Sequence, residues 1–155
     1  MNLYYVNIKE TLLPLLKNSR TAVCKRTITC IGYMTITCSD QLYKDIMDHL
    51  LDELRSGDAN NAKIYINCIT AVCKHSGVRM ALYLPSIMEL VIKYIDVSDD
   101  DLKEACFQIF EIFVRRCPKE SFLYIQQVSH LYIYSVFYLY KISLDCKIKL
   151  KVHCI

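Results

Sequence analysis

Cysteine and histidine are the residues of this chain best suited to metal binding or thiol chemistry, and their spacing favours neither. The cysteines number nine, an odd count. They are Cys24, Cys30, Cys38, Cys68, Cys73, Cys106, Cys117, Cys146 and Cys154, and the histidines are His49, His75, His130 and His153. The sequence contains no Cys-x-x-Cys pair and no His-Glu-x-x-His motif, the spacings typical of zinc sites. Cys73 and His75 are two residues apart on a predicted helix, so they would point to different faces. We therefore predict no metal site, and reduced, mostly buried thiols as in proteins of the cytosol or nucleus.

Catalytic motifs are absent from the sequence as well. It contains no nucleophile elbow, phosphate-binding glycine loop or paired-acid signature. The acidic cluster of Asp96 and 99–101 resembles a calcium loop only superficially, because the alternating ligands, the central glycine and the terminal glutamate are missing. We interpret this cluster as the cap and acidic first turn of a helix. The sequence thus predicts a protein that is not an enzyme and that has no catalytic residue and no cofactor.

Two pairs of basic residues, Lys25 with Arg26 and Arg115 with Arg116, are the candidates for contacting a partner. The first pair lies early in a predicted helix, whereas the second ends one, where cations suit the negative end of the helix dipole. One interpretation is a solvated face and a dipole-complementing helix end. The other is a set of polar contacts to an acidic partner surface. The formal net charge of +3 is small and spread along the chain, which argues against nucleic acid as the partner.

The composition indicates that long helices position these residues. Apolar residues make up 54% of the chain, while glycine and proline number only three each, too few for a turn-rich sandwich or barrel. The helical period and its breakers predict helices near 19–37, 40–55, 60–75, 80–95, 99–116 and 119–139. Gly32 lies inside the first of them and predicts close helix packing, because glycine costs about 1 kcal/mol there relative to alanine. The apolar run Leu131–Tyr140 is well short of the roughly 20 residues that span a membrane, so no membrane segment is predicted.

The predicted helices repeat with a period of about 40 residues. Shifts of 41 and then 38 residues align five apolar columns: Val23, Ile64 and Leu102; Ile28, Ile69 and Phe107; Ile31, Val72 and Phe110; Ile46, Ile87 and Ile125; and Leu54, Ile95 and Ile133. This period is typical of HEAT and armadillo repeats, in which stacked helix pairs bury one continuous core. We predict an all-α solenoid of the HEAT/armadillo type with about three antiparallel helix pairs. The expected division is a remnant of a preceding repeat at 1–18, HEAT repeats at 19–57, 58–97 and 98–140, and a divergent basic tail at 141–155.

Four short stretches carry a more specific resemblance. They are CKRTITCIG at 24–32, HLLDEL at 49–54, YINCITAV at 65–72 and FVRRCPKE at 113–120. In order and spacing they resemble the early HEAT repeats of the cullin-associated, neddylation-dissociated proteins, over about Leu12 to Ile125. The resemblance implies a long cytoplasmic or nuclear solenoid that binds an unneddylated cullin with its RING-box subunit. It also implies exchange of the substrate receptors of cullin–RING ubiquitin ligases, and contact of the two basic pairs with an acidic surface.

The sequence departs from this family after Tyr124. The family's acidic insertion is expected there, and the chain continues instead into a tyrosine-rich stretch and the basic tail. We therefore expect a fragment of a longer array with only a partial role in receptor exchange. Two other interpretations stay open, namely a generic HEAT-repeat adaptor of another pathway and a truncated product without function.

Overall fold

A computed structural model describes the backbone of residues 3–57, 59–95 and 99–131. These residues form helices joined by short turns, with no strand among them. The α-helices are α1 (Leu3–Leu15), α2 (Thr21–Thr37), α3 (Asp40–Arg55), α4 (Ala59–His75), α5 (Leu84–Ile95), α6 (Asp100–Arg116) and α7 (Pro118–Leu131), and a 3₁₀-helix (Gly77–Tyr83) precedes α5. The predicted all-α fold class is confirmed.

Local sequence signals set the ends of several helices. The Ser39 hydroxyl accepts a hydrogen bond at 3.3 Å from a backbone N–H in the first turn of α3 and caps that helix. The Asp99 carboxylate accepts two such bonds at 2.9 and 3.1 Å and caps α6. Gly57 follows α3 with φ of +80°, and Gly77 follows α4 with φ of +58°, the left-handed conformation that ends many helices. The acidic residues 99–101 are therefore a helix start, as predicted, while Asp96 lies outside the described residues.

The predicted helix at 80–95 is wrong in its first part. Residues Gly77–Tyr83 form a 3₁₀-helix, and the α-helix begins only at Leu84. Pro85 explains the break, because proline has no N–H to donate and is tolerated only in the first turn of an α-helix. The other predicted helices begin and end within two residues of the observed ones as far as 131. The predicted positions 132–139, the tail at 141–155 and Ile133 lie outside the described residues.

The helices pack in two layers. In the first layer α4 lies between α2 and α6, and in the second layer α1, α3, α5 and α7 follow one another. Lys63 and Asp101 pair near the starts of α4 and α6, and Arg116 reaches the carbonyl of Lys74 near their ends, so these two helices run in the same direction. Parallel neighbours about 40 residues apart are what stacked helix pairs of an α-solenoid produce.

The predicted apolar columns are buried to different extents between the two layers. Four of their members, Ile28, Ile64, Phe107 and Ile125, are only partly buried, and Val23 is not part of the core cluster. Ile31, Val72 and Phe110 form one fully buried column, each at most 1% exposed. Ile46 and Ile87 are also completely buried. The 40-residue alignment therefore identified side chains from successive repeats that share one hydrophobic core, which is how neighbouring repeats stabilise each other.

Gly32 lies where α2 and α4 approach most closely. A Cβ atom added there would lie 3.1 Å from the backbone oxygen of Ala71 and 3.2 Å from the Ala71 Cβ. The space between the two helices is therefore filled by backbone, and a larger side chain would have to push α4 away. The predicted close packing at Gly32 is confirmed.

Candidate protein-binding surface

The first basic pair lies in the second turn of α2. Lys25 and Arg26 are both exposed, and neither makes an ion pair or a side-chain hydrogen bond with any residue that the structure describes. Arg20 precedes α2 at its N-cap position without a side-chain cap bond, and the first turn contains no acidic residue. This end of α2 therefore presents uncompensated positive charge to solvent.

The second basic pair lies in the last turn of α6, and both of its side chains contact other residues of the chain. Arg115 forms an ion pair with Glu111 one turn earlier, at 2.5 Å. Arg116 donates a hydrogen bond from Nη2 to the backbone oxygen of Lys74 at 3.1 Å. Because the last carbonyls of a helix lack partners within it, this bond satisfies an acceptor at the end of α4. Arg116 thus fastens the third predicted repeat to the second.

The structure does not bring the two basic pairs together. They lie on α2 and α6, which are separated by α4, and at opposite ends of helices that are 17 residues long. At 1.5 Å per residue such a helix is about 25 Å long. A partner that contacts both pairs must therefore extend across the whole first layer.

Helices α2 and α4 of the first layer differ in charge from α3 of the second layer. Helices α2 and α4 together contain four basic side chains (Lys25, Arg26, Lys63 and Lys74) and no acidic one. Helix α3 of the second layer contains five acidic side chains against two basic ones. The acidic residues are Asp40, Asp45, Asp48, Asp52 and Glu53. An acidic partner surface is therefore attracted to the α2–α4 side of the stack.

Arg79 of the 3₁₀-helix joins two predicted repeats, although sequence reasoning did not identify it. Its guanidinium lies over the Tyr43 ring, 4.6 Å from the ring centroid. It donates hydrogen bonds to the backbone oxygens of Thr35 and of Cys38, the latter at 3.2 Å, and lies 3.4 Å from the Asp40 carboxylate. The only sequence signal was the separation of 41 residues between Arg79 and Cys38, about one repeat.

A groove of about 340 Å³ lies beside this arginine. It is lined by Asp40, Gln41, Tyr43, Lys44, Arg79, Leu82 and Tyr83. Tyr43 and Tyr83 meet edge to face, with ring centroids 5.7 Å apart, and burial raises the pKa of Tyr43 well above its usual value. Because the arginine nitrogens bind the α2–α3 turn, the arrangement suits structural support of this turn more than the capture of a ligand.

Two other side chains contact backbone oxygens at or just beyond the C-terminal end of a helix in the preceding repeat. The Tyr94 hydroxyl donates to the backbone oxygen of Leu54 at 2.8 Å, at the end of α3. The Cys24 thiol lies 3.3 Å from the backbone oxygen of Leu16, just beyond α1. Together with Arg79 and Arg116 they give four contacts in which a side chain of one repeat lies against a backbone oxygen at or just beyond a helix C-terminus of the preceding repeat.

The thiols have the properties of buried structural cysteines. Burial raises the pKa of Cys68 and of Cys106 to about 12, far above the range of reactive thiolates. Cys73 is fully buried, whereas His75 is exposed with its ring stacked near Tyr33. The predicted separation of Cys73 and His75 onto different faces is therefore confirmed.

The described parts of the chain contain neither a candidate metal site nor a candidate membrane span. Among the side chains that the structure describes, in 4–57, 61–95 and 99–125, no three of the His, Cys, Asp or Glu types cluster as metal ligands would. In the same residues no helix combines the length and apolar character that crossing a membrane requires.

Comparison with known proteins places this fold in a family. The family model for the HEAT repeats of GCN1-like stalled ribosome sensors matches residues 10–132. This match covers well over half of the chain, which therefore belongs to this family of HEAT-repeat proteins.

Individual relatives are more specific. The chain is 36% identical over 132 residues to cullin-associated NEDD8-dissociated protein 2 of Rattus norvegicus, covering 83% of this chain and 10% of the relative. It is 38% identical over 117 residues to cullin-associated NEDD8-dissociated protein 1 of Drosophila melanogaster, covering 74% of this chain and 9% of the relative. The Dictyostelium discoideum protein of the same name is 31% identical over 127 residues, which are 79% of this chain and 10% of the relative. The resemblance seen in the sequence is confirmed, and the chain spans about a tenth of the length of these relatives.

Proposed function

We propose that this chain is a non-catalytic segment of a cullin-binding scaffold that recognises an unneddylated cullin together with its RING-box subunit. The observation that carries the proposal is the similarity to cullin-associated NEDD8-dissociated proteins over most of the chain. The stacked helix pairs support it, because solenoids offer extended surfaces for binding other proteins. Such a role fits the cytoplasm or nucleus and needs no cofactor.

In this proposal the two basic pairs have different roles. Lys25 and Arg26 are exposed and have no ionic partner among the described residues, so both charges are available to carboxylates of the cullin. Arg115 and Arg116 contact the partner at the opposite end of the layer while they also bind Glu111 and the carbonyl of Lys74. Exposed charges of this kind act mainly on the rate of association and on the choice of partner.

The contribution to receptor exchange is partial in this proposal. The chain spans about a tenth of its relatives' length, so it supplies one section of the binding surface. The division into repeats at 19–57, 58–97 and 98–140 is part of the same proposal. It is supported by the equivalent positions of α2, α4 and α6 in the first layer.

A second candidate is a HEAT-repeat adaptor outside the cullin pathway. The observation that favours it is the family model, which is described for GCN1-like stalled ribosome sensors. Because one fold supports many functions, this match alone does not select a partner. Neither candidate assigns nucleic acid or a membrane as the ligand.

Pull-down of cullin–RING-box complexes by the full chain tests the proposal, with neddylated and unneddylated complexes compared side by side. We expect retention of the unneddylated complex only. The charge-reversed variant with Lys25→Glu and Arg26→Glu should weaken retention about tenfold or more, because both attractions become repulsions. A matched variant with Lys44→Glu, a basic residue of the acidic helix α3, should bind like the wild type.

The two candidates give different results. Equal retention of both complexes, or retention of neither by a chain with a helical circular dichroism spectrum, would reject the cullin proposal. Capture of ribosomal complexes by the same chain would favour the second candidate.

A further inference from the structure

A strip of exposed apolar and basic side chains runs along the C-terminal ends of the three first-layer helices. Tyr33 and Ile36 on α2 are 58% and 51% exposed. The Tyr33 ring lies 4.8 Å from the His75 ring at the end of α4, centroid to centroid. The hydrogen bond from Arg116 to the Lys74 carbonyl places the end of α6 next to the same turn. We call this surface the C-terminal strip; it consists of Tyr33, Ile36, Lys74, His75, Arg115 and Arg116.

The charge of the C-terminal strip is positive. Lys74, Arg115 and Arg116 are all exposed cations, and neither α2 nor α4 contributes an acidic side chain. Three acidic side chains lie near the strip. Glu111 is mostly covered and paired with Arg115, and Asp40, just beyond α2, lies beside Arg79. Glu120, in the first turn of α7, follows Arg116 by four residues. A ligand on the strip therefore meets more positive than negative charge.

The apolar end of the C-terminal strip consists of neighbouring exposed side chains and not of a single one. Single exposed apolar side chains are common and need no explanation. Here two large ones are three residues apart on one face of α2, beside an exposed imidazole ring. Tyrosine and arginine are the residue types that most often anchor protein–protein interfaces. The strip combines an apolar anchor point and a cationic rim within three adjacent helix ends.

We infer that the C-terminal strip docks an acidic segment of a partner protein that carries a large apolar side chain. The apolar side chain packs on Tyr33 and Ile36, while carboxylates of the segment pair with Lys74 and Arg116. This inference does not require the partner to be a cullin, and it concerns the end of the layer opposite to Lys25. Nucleic acid fits the strip less well, because Ile36 offers no stacking surface for a base and the cations are few for a phosphate backbone.

Fluorescence anisotropy of the full chain with three labelled probes tests this inference. The first probe is a short peptide of aspartate and glutamate with a central Phe-Leu pair. The second replaces Phe-Leu by Ser-Ser, and the third is an oligothymidylate of equal charge. We expect the Phe-Leu peptide to bind more tightly than both other probes, and its affinity to fall as salt is added.

Matched variants locate the site. Lys74→Glu and Ile36→Ser should each weaken binding of the Phe-Leu peptide about fivefold, the scale of one exposed charge or apolar contact. The controls are Lys93→Glu, an exposed basic residue on α5, and Leu82→Ser, which replaces a side chain that is 82% exposed on the 3₁₀-helix. Both controls should bind like the wild type, and thermal melting followed by circular dichroism checks that every variant is folded.

Four results would overturn the inference. The first is that the strip variants bind the Phe-Leu peptide as tightly as the controls do, and the second is equal affinity of the wild type for the Ser-Ser peptide. The third is tighter binding of oligothymidylate than of the Phe-Leu peptide, and the fourth is the absence of any peptide binding by the folded wild type. Because no cullin is present, these results are independent of the cullin pull-down.

Discussion

The two basic pairs of the first layer are alike in composition and opposite in their surroundings. Arg115 and Arg116 end α6, where the helix dipole favours cations and where a carboxylate and a carbonyl oxygen accept their hydrogen bonds. Lys25 and Arg26 lie beyond the first turn of α2, where the dipole has little effect, and bind no described side chain. Contacts within the fold thus give Arg115 and Arg116 a structural role, whereas no such contact gives one to Lys25 and Arg26. A charged pair that contributes little to stability is the better candidate for binding a partner.

The largest change in the free energy of unfolding should come from a substitution at Gly32, where α2 and α4 approach most closely. Because α4 lies between α2 and α6, this contact also helps to set the distance between the two basic pairs. In Gly32→Leu the new side chain meets the backbone of Ala71, to which even a Cβ would be only 3.1 Å away. We expect a loss of about 3 kcal/mol in the free energy of unfolding, measured by urea denaturation. The control Thr29→Leu changes an exposed position on the same helix and should shift stability by no more than about 0.5 kcal/mol. Equal stability of the two variants would contradict the packing described at Gly32.

The next largest effect should follow removal of Arg79. Arg79→Ala deletes two bonds to backbone oxygens and the stacking on Tyr43, which together are worth about 2 kcal/mol. Urea denaturation should show this loss, and Arg79→Lys should restore only part of it because the planar fork is missing. Arg55→Ala removes an exposed ion pair within α3 and should cost less than about 0.5 kcal/mol. If Arg79→Ala were as stable as Arg55→Ala, the arginine would not join the repeats.

A direct comparison of the two pairs should show a smaller difference. Arg116→Ala leaves the Lys74 carbonyl without its side-chain donor and should cost about 1 kcal/mol. The double variant Lys25→Ala with Arg26→Ala should change the free energy of unfolding by no more than about 0.5 kcal/mol. Thermal and urea unfolding of the two variants, run in parallel, measure the difference. Equal losses would remove the reason for preferring the first pair as the binding candidate.

The smallest effect concerns the N-terminal ends of the helices. The nearby Lys63 ammonium lowers the pKa of Asp101 below its usual value. A lowered carboxyl pKa adds stability above the unfolded pKa of about 3.9, and that stability is lost as the pH falls through the folded pKa. Asp101→Asn should therefore be slightly less stable than the wild type at neutral pH and equally stable in strong acid. In a Lys63→Gln background the difference at neutral pH should become smaller, leaving only the interaction of the Asp101 carboxylate with the helix dipole.

The sequence predicted the fold better than it predicted the contacts between repeats. The helix ends at Ser39, Asp99 and Gly57 depend on residues next to them in the sequence. The buried column of Ile31, Val72 and Phe110 depends on the repeat of about 40 residues. Both kinds of signal can be recognised in a single sequence. The interruption before Pro85 was missed because its apolar pattern continues smoothly through the 3₁₀-helix. The helices and the core could therefore be predicted from local sequence signals and from the repeat.

The candidate surface was predicted only in part. Both basic pairs were identified from the sequence, but their different surroundings were not. The bonds of Arg79 and Arg116 join residues about 40 positions apart, and they depend on how the 3₁₀-helix and α6 dock. Such contacts depend on the side-chain conformation at a packed boundary, which a helical period does not specify.

The closure of helix ends has a consequence for synthesis of the chain. In each of four cases the donor lies later in the sequence than the carbonyl it satisfies: Cys24 for Leu16, Arg79 for Cys38, Tyr94 for Leu54 and Arg116 for Lys74. In the last three cases the donor follows by 40 to 42 residues, so we expect these carbonyls to stay without this donor until about one more repeat has been synthesised. Cys24 follows Leu16 by only eight residues. We therefore expect the most recently synthesised helix pair to be the least protected part of a growing chain, and the first to be cut by a protease if synthesis pauses between repeats.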